Sequence, residues 1–214
     1  MERYSLGTLL GEGAFARVYS GTAVESRELV AIKVPRAEVP FGSQILRAEF
    51  RARLGMHHAN LVAVRELVDT PTGAVLIMEH VHGVPLSQLK NETVDPSMVE
   101  AIAFSALSGL LALHENSLVH GDVKPANIMV RPDGTSVIID FDLSGPAVPT
   151  NPMEQSLGTL VYAAPELLLG QPRTPATDLF SLGLVLLELL LGRHPGWRRG
   201  MPGQRQLELP TDDN

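Results

Sequence analysis

The sequence predicts an α+β fold in two lobes, and three patterns predict it. The first 80 residues are mostly strand-like, with one helical segment among them. A short Gly83-Val84-Pro85 connector follows. The remainder is dominated by long apolar segments of helical character, broken by polar loops. In the first part, Tyr4–Leu10 and Ala16–Val24 flank a glycine turn, and Glu28–Val34 is β-branched and alternating. Asn60–Asp69 and Ala74–His80 form a further strand pair around Thr70-Pro71-Thr72-Gly73. Ser43–Leu54 has Ile45, Leu46, Phe50 and Leu54 near helical spacing. In the second part, Asp95-Pro96 opens a helix that runs to about His114, with Asp as N-cap and Pro at the first helical position. Its small and apolar residues run nearly all round, which predicts a central helix. Ile128–Val130 and Ser136–Ile139 are short strands joined by Pro132-Asp133-Gly134. A last helix begins near Pro175, with Thr174 as cap. The implied division is residues 1–81, 82–192 and an irregular tail, 193–214.

The 214 residues are enough to bury a real core, and 44% hydrophobic residues mark a globular chain. There are no cysteines, which excludes disulfides, thiolate metal sites and a cysteine nucleophile. A formal charge of −7 argues against a nucleic-acid binder, which needs a basic face. The most apolar run, Leu179–Leu191, is interrupted by Glu188 and is shorter than the ~20 residues that span a bilayer. No membrane segment is expected, and the default is a cytoplasmic protein.

Three constellations carry chemistry. Gly11-Glu12-Gly13-Ala14-Phe15-Ala16-Arg17-Val18 lies between strands, where glycines let backbone approach phosphates; alone, such a turn is as readily a plain hairpin. Lys33 sits inside the apolar strand Ala31-Ile32-Lys33, with Glu49 on the following helix available to hold its ammonium. His120-Gly121-Asp122-Val123-Lys124-Pro125-Ala126-Asn127, followed by Ile139-Asp140-Phe141, sets two acids, a lysine and an asparagine on loops between short elements. Phosphoryl transfer uses such a set. One carboxylate orients the attacking hydroxyl, an acid and an amide hold Mg²⁺ through oxygen, and a cation offsets charge on the moving group.

In these motifs the chain resembles the eukaryotic-type serine/threonine protein kinase family, in its bacterial-like form. Ala164-Pro165-Glu166 and Asp178-Leu179-Phe180-Ser181-Leu182-Gly183 extend the likeness in the family's order. The resemblance implies a bilobal kinase fold, ATP and Mg²⁺ as cofactors, and a protein serine or threonine as acceptor. It implies that Gly11 and Gly13 cover the phosphates, and that Val18, Ala31, Met78 and the hinge from Glu79 to Val81 take adenine. It further implies that Lys33 meets the α/β-phosphates and pairs with Glu49. Asp122 is then the base, Lys124 neutralises the γ-phosphate, Asn127 and Asp140 hold the metal, and Thr159 lies near the peptide site. Ser144, Thr150 and Ser156 are positions for autophosphorylation.

The chain also departs from the family. Gly121 stands where many members carry arginine, Ala16 replaces a loop glycine, and Asp142 replaces the glycine after Phe141. Family members continue with further helices after the one at Asp178, so a helical lobe that is C-terminally truncated is expected. A partner or self-association would then cover it, and Glu166 would lack its usual arginine. A nucleotide-binding pseudokinase or regulatory fragment is the alternative. A small-molecule phosphotransferase is a further one, since His-Gly-Asp with a later Ile-Asp-Phe also occurs in aminoglycoside and choline phosphotransferase relatives.

Overall fold

The computed structural model describes residues 3–89, 94–141 and 160–194. The chain forms two compact units, Met1–His82 and Gly83–Asn214. Asp142, Ser144, Thr150, Ser156 and Thr159 lie outside the described residues.

The first unit is a five-stranded antiparallel sheet with one helix. Its strands are β1 (Tyr4–Glu12), β2 (Ala16–Ala23), β3 (Leu29–Pro35), β4 (Val64–Thr70) and β5 (Gly73–Glu79), in the order β1-β2-β3-β5-β4. Strand β3 is buried because its residues suit both faces of a covered sheet. Val30 and Ile32 pack with Val75 and Ile77 of β5. The alternate positions, Ala31 and Lys33, therefore lie on the opposite face. Thr70 pairs with Gly73 across Pro71-Thr72, and the Thr70 hydroxyl donates to the Gly73 carbonyl at 2.6 Å, which closes the β4–β5 hairpin.

Helix α1 (Gly42–Arg53) packs on β3, β4 and β5. Its buried positions are Gly42, Leu46, Glu49 and Arg53. This differs from the apolar set read in the sequence, since Leu54 lies past the helix end and is 68% exposed. Each buried charge has a specific partner for part of its polar group, Lys33 for Glu49 and the Val62 carbonyl for Arg53.

In the second unit, β6 (Val84–Pro85), β7 (Ile128–Val130) and β8 (Ser136–Ile138) form a small antiparallel sheet. The connector read in the sequence thus contains a strand. Helix α2 (Pro96–Glu115) begins as expected, with the Asp95 carboxylate accepting from the Ser97 amide at 2.8 Å. It packs against β8 and against α4 (Pro175–Leu191), which follows the single turn α3 (Pro165–Leu168). The inward stripe of α2 is Val99, Ile102, Ala106, Leu110 and Leu113. Within it, Ser105 and Ser136 share a buried hydroxyl contact at 2.8 Å, and the Ser136 amide donates to the Ser105 hydroxyl at 2.8 Å. The far side of α2 is open: Phe104 is 69% exposed and Leu111 58%. The helix is therefore one-sided, although its composition is apolar all round. By length and composition alone it could cross a membrane.

The Thr174 amide donates to the Thr177 hydroxyl at 3.2 Å where α4 starts, and Gly192 (φ 67) ends it in the left-handed conformation that favours glycine.

The two adjacent leucines of α2 give a direct test of this packing. Leu110→Ala should cost about 2–5 kcal/mol. Leu111→Ala should change stability by no more than about 0.5 kcal/mol. Urea unfolding of both variants checks the difference.

Candidate active site

In the first unit, the Lys33 ammonium donates to Glu49 Oε2 at 2.9 Å, and both side chains are almost fully buried. Strand β3 supplies the lysine from its second face, and α1 brings the carboxylate to it. The glycine segment closes β1 and β2, with Gly11 opposite Val18 and Glu12 opposite Arg17. The Gly13 amide donates to the Ala16 carbonyl at 2.8 Å, and Arg36 donates to the Gly13 carbonyl at 3.3 Å. Arg36 also pairs with Glu12 at 3.2 Å and with Glu38 at 2.8 Å, so one arginine ties the loop to the end of β3.

The glycines of this sheet are not equivalent. A Cβ at Gly21 would lie 2.4 Å from Ile32 Cδ1, so internal packing demands glycine there. A Cβ at Gly11 would meet nothing within 4 Å. No contact among the described residues explains glycine at position 11. Cross-strand register brings Ala31 opposite Met78 and Val30 opposite Glu79. Met78 and Val81 are buried, and Glu79 Oε2 accepts from the Ala63 amide at 3.2 Å.

One residue beside the Lys33–Glu49 pair escaped the sequence reading. Arg53 is the largest of the fully buried side chains, at 1% exposure. Its Nη2 donates to the Val62 carbonyl at 2.7 Å. Burial pulls its pKa down to about 10, against the upward pull of the Glu49 charge. At about 1.4 kcal/mol per unit, the buried charge costs the fold on the order of a few kcal/mol at neutral pH. The cost is relieved only as pH rises from the folded value towards the unfolded one.

In the second unit, Asp122, Lys124 and Asn127 converge. Asp122 Oδ2 accepts from Lys124 Nζ at 2.7 Å and from Asn127 Nδ2 at 3.1 Å. Asn127 Nδ2 also donates to the Asp122 carbonyl at 2.9 Å. The 3₁₀ turn Pro125–Asn127 makes this possible by bending the chain into β7 directly after the lysine. Asp122 Oδ1 is buried and has no hydrogen-bond partner among the described residues.

His120 underlies the loop, fully buried. Its Nδ1 faces the Asp122 amide at 3.2 Å, and its Nε2 faces the Ile139 carbonyl at 3.2 Å. A donor on one side and an acceptor on the other dictate the Nε2–H tautomer. The ring also meets Phe141 edge-on, with centroids 4.9 Å apart. Asp140, between Ile139 and Phe141, has φ 64, a left-handed conformation that aspartate tolerates better than most residues.

Asp178, in the first turn of α4, anchors this loop. Its carboxylate accepts from the His120 amide at 2.8 Å, from the Gly121 amide at 2.8 Å, and meets His114 Nε2 at 2.8 Å. Gly121 has φ 77, where most side chains cost about 1–2 kcal/mol. Further along, the Tyr162 hydroxyl donates to Glu188 Oε2 at 2.6 Å, and burial followed by that bond pushes the phenol's pKa well up. In the sequence, Asp178 is only the first residue of a helix motif; the anchoring role comes from the fold. His114, Tyr162 and Glu188 give no local signal, because each is defined by a partner far along the chain.

A small antiparallel sheet whose third strand carries a lysine bound to a helix carboxylate, and a loop joining aspartate, lysine and asparagine, define a phosphotransferase class. The protein kinase domain family matches residues 4–209, and the chain belongs to that family. It is 33% identical over 202 residues to serine/threonine-protein kinase 36 of Pongo abelii, covering 91% of this chain and 15% of that protein. It is 32% identical over 206 residues to serine/threonine-protein kinase PknA of Mycobacterium tuberculosis, covering 90% and 48%. With cyclin-dependent kinase 14 of Xenopus tropicalis it shares 30% identity over 189 residues, covering 86% and 44%. The chain therefore spans less than half the length of each of these relatives.

Lys33→Met leaves the Glu49 carboxylate buried without its cation and should destabilise the chain by about 3–5 kcal/mol. Lys33→Met combined with Glu49→Leu should recover most of that loss. Chemical denaturation of the single and double variants checks both expectations.

Proposed function

We propose that this chain is an ATP-dependent serine/threonine kinase domain that transfers the γ-phosphoryl group to a protein hydroxyl. The observation that supports it most is the Asp122 carboxylate. One oxygen is held by Lys124 and Asn127, while the other is buried and bare. A buried acceptor without a donor costs about 1–3 kcal/mol. A substrate hydroxyl is the donor it lacks.

In the proposed step, the acceptor hydroxyl oxygen attacks the γ-phosphorus. The bond from that phosphorus to the β–γ bridging oxygen breaks and ADP leaves. The hydroxyl proton passes to Asp122. Lys124 offsets the charge of the transferring group. Lys33, oriented by Glu49, serves the α/β-phosphates, and Gly11 and Gly13 give them backbone with no side chain in the way. Val18, Ala31, Met78, Glu79 and Val81 supply the adenine surface. Serine/threonine preference follows from Lys124 in its loop position and from the relatives' names.

The donor chemistry suits Mg²⁺. The Asn127 bonds to Asp122 are both donated by Nδ2, so they leave its carboxamide oxygen, the atom a hard cation takes, unengaged. Asn127 and Asp140 would hold the ion, with phosphate oxygens completing its shell. Bound there, it would neutralise charge on the β- and γ-phosphates. No cluster of three His, Asp or Glu side chains suited to a metal occurs among the described residues. A metal that binds through one or two protein groups plus phosphates needs none.

Transfer from γ-labelled ATP to serine- and threonine-containing peptides tests the proposal. Asp122→Asn should lower the rate by about 10²–10⁴ while preserving thermal stabilisation by Mg·ATP. Stabilisation of the native chain by Mg·ATP with no transfer to itself or any hydroxyl substrate would overturn it.

A further inference from the structure

We infer that Arg53 is a positioning residue for the Lys33–Glu49 pair and serves nucleotide handling through it. The inference rests on the reading of Lys33 as a phosphate-binding lysine.

Glu49 and Arg53 are four residues apart on α1, with the acid N-terminal, the arrangement that favours attraction between them. Both are buried, at 3% and 1% exposure. Glu49 gives Oε2 to Lys33, while its Oε1 is buried with no hydrogen-bond partner among the described residues. A buried carboxylate with one oxygen bare is an expensive group to keep ionised. A second cation one helical turn away offsets that cost through the field it adds. Arg53 also donates to the Val62 carbonyl at 2.7 Å, tying the C-terminal end of α1 to the chain entering β4. The carboxylate therefore has its helix clamped and its charge supported by one side chain.

An apolar side chain at position 53 would leave the Val62 carbonyl without this donor and the Glu49 carboxylate without the support of this cation. An anion brought to Lys33 would find a lysine already ordered by Glu49.

The experiment compares native chain, Arg53→Met and Arg53→Lys for thermal stabilisation by Mg·ATP and by adenosine, which lacks phosphates. It also measures kcat and KM for ATP. Arg53→Met should respond to adenosine as the native chain does, the shift on ligand being read against each variant's own melting temperature. Its Mg·ATP affinity should fall roughly tenfold, the scale on which neighbours in one buried network couple. Arg53→Lys should restore part of that loss. If Arg53→Met does not fold, Arg53→Gln, similar in length and uncharged, undergoes the same comparison. Equal weakening of adenosine and Mg·ATP, or no weakening of either, overturns the inference. Failure of the native chain to bind Mg·ATP at all overturns the kinase reading instead.

Discussion

The arrangement of the second unit depends on the Asp178 carboxylate. It is buried at 1% exposure and accepts two consecutive backbone amides, those of His120 and Gly121, from a loop more than fifty residues earlier in the chain. Without it those amides would lose their acceptor in a dry place, a cost that buried backbone donors rarely bear. Its position in the first turn of α4 helps, since a helix N-terminus favours negative charge. Everything chemical on the loop follows from this grip. Asp122 comes directly after the anchored residues, and Lys124 and Asn127 fold back onto Asp122.

The first unit divides its labour by strand face. Val30 and Ile32 pack into an apolar cluster of ordinary kind. The other face of the same strand carries Lys33 into a charged interior that no stability argument would select. Local preference and overall fold agree on the first face and part on the second, which is the face the proposed nucleotide role uses. The same holds for the left-handed backbone at Gly121 and Asp140.

Much of this could be read before any coordinates. The alternation of β3, the Asp95 cap and the helical start at Pro175 are local signals, and local signals survive folding. Lys33, Asp122 and Asn127 stood out because their motifs are compact in the chain. What escaped reading was non-local. Strand β6 is only Val84–Pro85, and it is a strand because β7 happens to lie beside it. Arg53 scores as polar in any periodicity count, so no local signal marks it as an inward position. The open side of α2 could not be inferred from an apolar composition, because composition does not say how many neighbours will arrive to cover it.

The emptiness around Gly11 has a consequence for how variants of this chain would be sorted. A methyl group there touches nothing among the described residues, so selection for folding or solubility alone would let alanine through. Gly21, in the neighbouring strand, would be purged by the same selection because Ile32 blocks it. Two glycines ten residues apart are thus guarded by different pressures, and a library screened first for foldedness and then for nucleotide use would separate them.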